Sequence, residues 1–358
     1  MIRALLAGVF GLLLIAAAVA FDTLSLYVPG VALVALGAGS ALWVGLASAG
    51  ARVERTLGGA VVEEEQPYPV RIEARTGPLP APGGELVEPL GGTTLPLAGR
   101  RGRRVSIDVR FARRGRRELA PSSIVIRDPL GLAVRERRSA GGEVLVLPRV
   151  EPVQLAAGGG AGGVTDAGQL ISAAAETELD SLRPYRPGAP ASRIHWPTVA
   201  RSGEMVERRM VADEDLRPLV VLDARRPATE EALDSAVRAA ASLAVHLASA
   251  GGCAVLLPGD RRATALPADL RPWPALHARL ALVEAGDSAP ALARLGRGGA
   301  ILWVTAAAGA EPPPGLRRAA VAARYLVTPS PAGATRASFT VAGCGGYRLG
   351  RASRRMAA

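Results

Sequence analysis

The sequence predicts an α/β protein in three parts: two N-terminal transmembrane helices, a small antiparallel β-sandwich-like domain, and a C-terminal open parallel sheet with flanking helices. Three observations predict it. Two uncharged apolar runs open the chain, short segments alternating with period two follow, and after a glycine-rich stretch strand-length and helix-length patterns alternate. At 358 residues the chain exceeds what one core holds. It divides into a transmembrane hairpin (1–50), a β-rich domain (55–153), a linker (154–182), an α/β domain with a distinctive lead-in (183–345) and a C-terminal tail (346–358).

Residues 4 to 21, ALLAGVFGLLLIAAAVAF, and residues 26 to 49, LYVPGVALVALGAGSALWVGLASA, are each about long enough to cross a hydrocarbon core of roughly 30 Å as a helix. The link between them is so short that the helices must form an antiparallel hairpin. Arg3 precedes the first run, Arg52 and Arg55 follow the second, and the link carries only Asp22. The positive-inside rule then places both ends in the cytoplasm. A competing reading takes AVA before Phe21 as a signal-peptide cleavage site, leaving the second run as a stop-transfer segment. Either way the body lies in the cytoplasm, which suits two far-apart cysteines, Cys253 and Cys344, with no metal-type spacing.

YPVRIEAR, RVSIDVRF, SSIVIRD and EVLVLPRV, separated by Gly and Pro clusters, read as antiparallel strands. The chain has no lysine, and of its +11 charge +8 lies between Arg100 and Arg117, where nine arginines face one acid, Asp108. This run reads as a solvated face attracted to anionic membrane lipids. It lacks the interleaved aromatic residues that stack on bases, so no nucleic acid is expected.

From Leu219 the pattern changes. LVVLD is a continuous apolar run closed by an acid. ATEEALDSAVRAAASLAVHLASAGG follows, with Thr229 as N-cap, Glu230 and Glu231 in the first turn and Gly251 and Gly252 past the end. CAVLLP, AILWVT and YLVTP read as further strands, and WPALHARLALVE and PGLRRAAVAAR as helices. Alternation of this kind builds a parallel sheet covered on both faces.

Ligands of such sheets bind beyond the strands' carboxyl ends, where Asp223 stands. In a von Willebrand factor A type domain this position opens an Asp-x-Ser-x-Ser sequence that holds a divalent cation through hard oxygen donors. Here the sequence is DARRP. Arg225 and Pro227 replace the two hydroxyls, and guanidinium groups beside Asp223 repel a cation and pair with the carboxylate. The expectation is a degenerate site with no metal and no cofactor. No phosphate-binding loop, nucleophile elbow or H-E-x-x-H motif occurs. His195, beside Arg193 and Trp196, is the one candidate general base, without an identifiable partner.

The segment RPYRPGAPASRIHWPTVARSG (183–203) resembles the signature of the bacterial "domain of unknown function 58" family. Arg183, Tyr185, Pro187, Gly188, Arg193, Ile194, His195, Trp196, Ala200 and Arg201 match it in order, and Ala189 stands where the family usually has Asp. IRDPLGLAVRERR (126–138) and VLPRVEPV (146–153) are similar to its Asp-Pro-x-Gly-Leu and Pro-Arg-Val elements. The resemblance implies a von Willebrand A-like fold and a MoxR-type AAA+ ATPase as partner. The expected function is therefore that of a non-catalytic, membrane-anchored cytoplasmic adaptor or scaffold. The alternatives are a hydrolase using His195 and a basic binder of anionic lipid or nucleic acid. Tyr185, His195 and Trp196 are expected to clasp the lead-in segment onto the sheet, and Arg183, Arg193 and Arg201 to fix its path or meet a partner.

Overall fold

A computed structural model describes residues 2–155, 182–184, 196–208, 217–290, 299–307, 312, 316–317, 321, 323–329 and 337–349. The chain forms two compact units, one of Met1–Ala112 with Arg116–Val146, the other of Arg113–Gly115 with Leu147–Ala358.

In the first unit, α1 (Ile2–Ala20) and α2 (Leu24–Ser48) form the expected antiparallel hairpin. Both helices are long and apolar enough to cross a membrane, a property they share with signal sequences. Small residues let their backbones touch: a Cβ added at Gly11 would lie 2.6 Å from the Gly30 carbonyl oxygen, and one at Gly37 2.6 Å from that of Ala4.

Ten strands follow, β1 (Arg52–Leu57), β2 (Val61–Glu63), β3 (Tyr68–Arg75), β4 (Gly84–Glu88), β5 (Thr93–Pro96), β6 (Gly102–Val109), β7 (Gly115–Leu119), β8 (Ser123–Arg127), β9 (Val134–Arg138) and β10 (Gly142–Leu147). They build three sheets, ordered β1-β3-β6, β2-β10-β7 and β5-β4-β8-β9. In β3 the alternation is complete: Tyr68, Val70, Ile72 and Ala74 are buried while the residues between them face outward. Val44 and Ala47 of α2 and Ala4 of α1 belong to the same apolar cluster as these strands. Helix ends and strands thus share one core, where the sequence suggested two separate domains.

The second unit holds an eight-stranded sheet ordered β11-β19-β20-β18-β17-β14-β15-β16. Its strands are β11 (Gln154–Leu155), β14 (Leu219–Asp223), β15 (Cys253–Leu256), β16 (Thr264–Leu266), β17 (Ala300–Thr305), β18 (Ala323–Thr328), β19 (Phe339–Val341) and β20 (Cys344–Arg348). A separate pair joins β12 (Leu182–Pro184) to β13 (Val206–Arg208).

The open parallel sheet of the sequence reading is found only in part. β15, β14, β17 and β18 run parallel, whereas β16 on one side and β20, β19 and β11 on the other are antiparallel. Short connections explain this. β19 returns into β20 through Ala342 and Gly343, both at positive φ, and a link of a few residues can join only antiparallel neighbours. The domain limits shift accordingly. Residues 147–153 belong to the second unit rather than to the β-rich domain, 154–155 form β11 rather than linker and pair with β19, and 346–348 lie in β20 rather than in a tail. The remainder of the proposed linker, 156–181, lies outside the described residues.

α4 (Glu230–Gly251) starts as its sequence predicts: the Thr229 hydroxyl accepts from the Ala232 N–H at 3.0 Å. Its apolar face packs with α5 (Trp273–Ala281) on the sheet face presenting Val220, Leu222, Val255 and Leu302. Leu219, Val221, Ile301, Trp303 and Leu316 form a second core on the opposite face. Burial on both faces is why β14 and β17 read as continuous apolar runs. Of the helix expected over PGLRRAAVAAR, Leu316 and Arg317 are helical, whereas Ala323 and Arg324 at its end belong to β18 instead, where they pair with β17.

Candidate functional site

Asp223 closes β14 at the carboxyl end of the parallel strands, with its side chain 7 % exposed. Arg225, two residues on, folds back over it. Its Nε donates to Oδ1 at 2.9 Å and its Nη2 to Oδ2 at 2.8 Å, while the Arg225 backbone N–H adds a bond to Oδ1 at 3.2 Å. Both carboxylate oxygens are therefore engaged by a planar fork. The pairing holds the Arg225 guanidinium above its ordinary pKa, chiefly through the hydrogen bond to Asp223.

The backbone seals the same edge. Arg226 adopts φ 46°, Pro227 pairs with Ala307, and the Ala228 N–H donates to the Ala306 carbonyl at 2.9 Å. The Thr305 hydroxyl accepts from the Ala307 N–H at 3.2 Å. The loop after β14 is thus tied to the residues after β17, at the strand ends where such sheets hold ligands. No group of three His, Cys, Asp or Glu placed to hold a metal occurs among the described residues.

The signature residues are less fully described. Arg183 lies on β12, opposite Glu207 of β13 in register. Tyr185, Gly188, Arg193 and His195 lie outside the described residues. Trp196 opens the short helix α3 (Trp196–Ser202), which ends at Gly203 with φ 72°. Its indole is 58 % exposed, so the expected burial of Trp196 in a clasp is not found. The physical reason is local: α3 spans only two turns, and Ala200, Arg201 and Met205 around it are exposed as well.

Other polar groups fall into structural roles. Within the basic run 100–117, Arg104 pairs with Glu73, Arg116 with Glu143, and Arg113 and Arg114 with the buried Asp234 on α4, while Arg103 and Arg110 donate to the carbonyls of Pro96 and Glu65. Sequence reasoning passed over Asp234, since an acid in the second turn of an amphipathic helix looks like surface. His277 is buried, with Nε2 2.7 Å from the Pro148 carbonyl oxygen and its ring stacked on Trp273. Cys253 and Cys344 are buried free thiols pushed up to about 12 by desolvation, hence protonated and inert at neutral pH.

No protein-family model matches the chain, and no curated protein matches it.

Proposed function

We propose that this chain is a membrane-anchored cytoplasmic adaptor of a bacterial inner membrane, with a degenerate von Willebrand A-like domain that works with a MoxR-type AAA+ ATPase and performs no catalysis itself. The observation that carries the reading is the exposure of Trp196. A large aromatic left in water beside exposed Arg201 and Met205 has the composition of an interface anchor. The bidentate hold of Arg225 on Asp223 supports it, because recognition through a bridging cation is then unavailable. The family and its ATPase come from the resemblance of residues 183–201, and the topology from Arg3, Arg52 and Arg55.

Affinity purification of the full-length chain from native membranes, with and without ATP, tests this. The wild type should retain an AAA+ ATPase in a nucleotide-dependent way. Trp196→Ala should lose it while changing stability by no more than about 0.5 kcal/mol, as substitutions at exposed positions do. Absence of any ATPase from the wild-type eluate would remove the adaptor reading. A large drop in the melting temperature of Trp196→Ala would return the residue to a packing role.

A further inference from the structure

The Asp-Pro-Leu-Gly-Leu element at 128–132 is left without a role by the adaptor reading, yet its turn is held at several points. The Asp128 carboxylate accepts from the Leu130 N–H at 3.0 Å and from the Ala133 N–H at 2.5 Å. Gly131 takes φ 69°, which completes the reversal between β8 and β9. This turn rests on the helix hairpin. The Ser40 hydroxyl of α2 donates to Asp128 Oδ2 at 3.3 Å, and the Ala4 N–H of α1 donates to the Leu132 carbonyl at 3.0 Å.

A second loop, 76–81, holds α2 at the same end. The Gly77 N–H donates to the Ala47 carbonyl at 2.6 Å, and the Trp43 indole N–H donates to the Pro80 carbonyl at 3.3 Å. A side chain at Gly77 would collide with the carbonyls of Leu46 and Ala49. From the end of α2 at Ser48 the loops thus climb to Trp43 and to Ser40.

On the side these loops cover, less helix is left for lipid, while Ile2, Leu42 and Leu46 stay exposed. Residues 5–20 of α1 and 24–39 of α2 each rise about 24 Å, against roughly 30 Å of hydrocarbon. Exposed Tyr27 and Trp43, the residue types of the two interfacial belts, are likewise about 24 Å apart along α2. Ser40, where Asp128 is bound, lies on the lipid side of Trp43. At the tip of the turn Leu130 is 62 % exposed, and exposed Arg127 and Arg135 flank it.

We propose that turn 128–133 and loop 76–81 form a collar seated in the head-group layer of an anionic bilayer, with Leu130 reaching the acyl chains and Arg127 and Arg135 meeting lipid phosphates. On its own side the collar covers the helix turns that would otherwise meet the head groups. It rests on the reading of α1 and α2 as membrane spans.

The test uses the full-length chain carrying Leu130→Cys, Leu36→Cys or Val61→Cys, nitroxide-labelled in bilayers of phosphatidylcholine and phosphatidylglycerol. Leu36 lies midway along α2, and Val61 is exposed on β2. The two native thiols are buried and stay unlabelled. The labels at 130 and 36 should collide several-fold less with a water-soluble nickel chelate than the label at 61. Adding Arg127→Gln and Arg135→Gln should restore part of the collisions at 130. A label at 130 as accessible as that at 61, with 36 still shielded, overturns the collar and leaves the hairpin in the membrane. Accessibility at 36 itself overturns the membrane reading and the collar with it.

Discussion

Two aspartates stand just at the ends of strands and are nearly buried, and the chain uses them in opposite ways. Asp128, after β8, is satisfied by neutral donors, two backbone N–H groups and the Ser40 hydroxyl. Asp223, at the end of β14, is satisfied by a cation, the Arg225 fork. The first carboxylate acts as a template that shapes a turn and ties it to α2. The second is neutralised where it stands, at the position from which an open sheet would otherwise offer charge to a ligand. A buried acid at a strand end is therefore not in itself a site; its partners decide.

The contrast predicts unequal costs. Asp128→Ala strips two backbone donors and a hydroxyl of their acceptor in a buried turn, so the full-length chain in detergent should lose about 3 kcal/mol. Asp128→Asn, which keeps one acceptor oxygen, should lose less. Equal melting temperatures for Asp128→Ala and wild type would show that the turn is held by its neighbours alone.

Arg225→Ala leaves the Asp223 carboxylate without its cation. Because Arg225 is 35 % exposed, water substitutes in part, and the cost should be about 1 kcal/mol after solvent screening is allowed for. Thermal melts of the two alanine variants side by side check the order, and a larger effect at Arg225 would reverse it.

A smaller effect is expected from His246 on α4, whose pKa is lowered by desolvation. A base with a depressed folded pKa binds its proton more readily when unfolded. Its contribution is thus full above the ordinary value of about 6.5 and is lost as pH falls from there through the folded pKa. Melting curves across this range should flatten in His246→Gln. Unchanged steepness would assign the acid sensitivity to other groups.

Much of this architecture was legible in the sequence wherever local pattern and burial coincide. YPVRIEAR has the limits of β3, LVVLD those of β14, and the α4 cap is formed by Thr229 as read. The Arg225–Asp223 pair was legible because the partners are two residues apart and a guanidinium easily reaches across that span. The contacts of Asp128 were not, since Ser40 lies 88 residues away and only the fold brings it near. Trp196 misled for a related reason: its burial depends on what packs over a two-turn helix, and residue type alone does not say. The antiparallel edge strands were hidden by their brevity, three residues each in β16 and β19.

The chain's own guanidinium closes the strand end at Asp223, and a cation titration tests that most directly. Anything bound only by the native state raises stability as RT ln(1 + [L]/Kd). The melting temperature of the full-length wild type should therefore be indifferent to millimolar Mg²⁺ or Mn²⁺, and Asp223→Ala should respond no differently. An upward shift in the wild type that disappears in Asp223→Ala would contradict the account, because the carboxylate would then be holding a metal that Arg225 was thought to exclude.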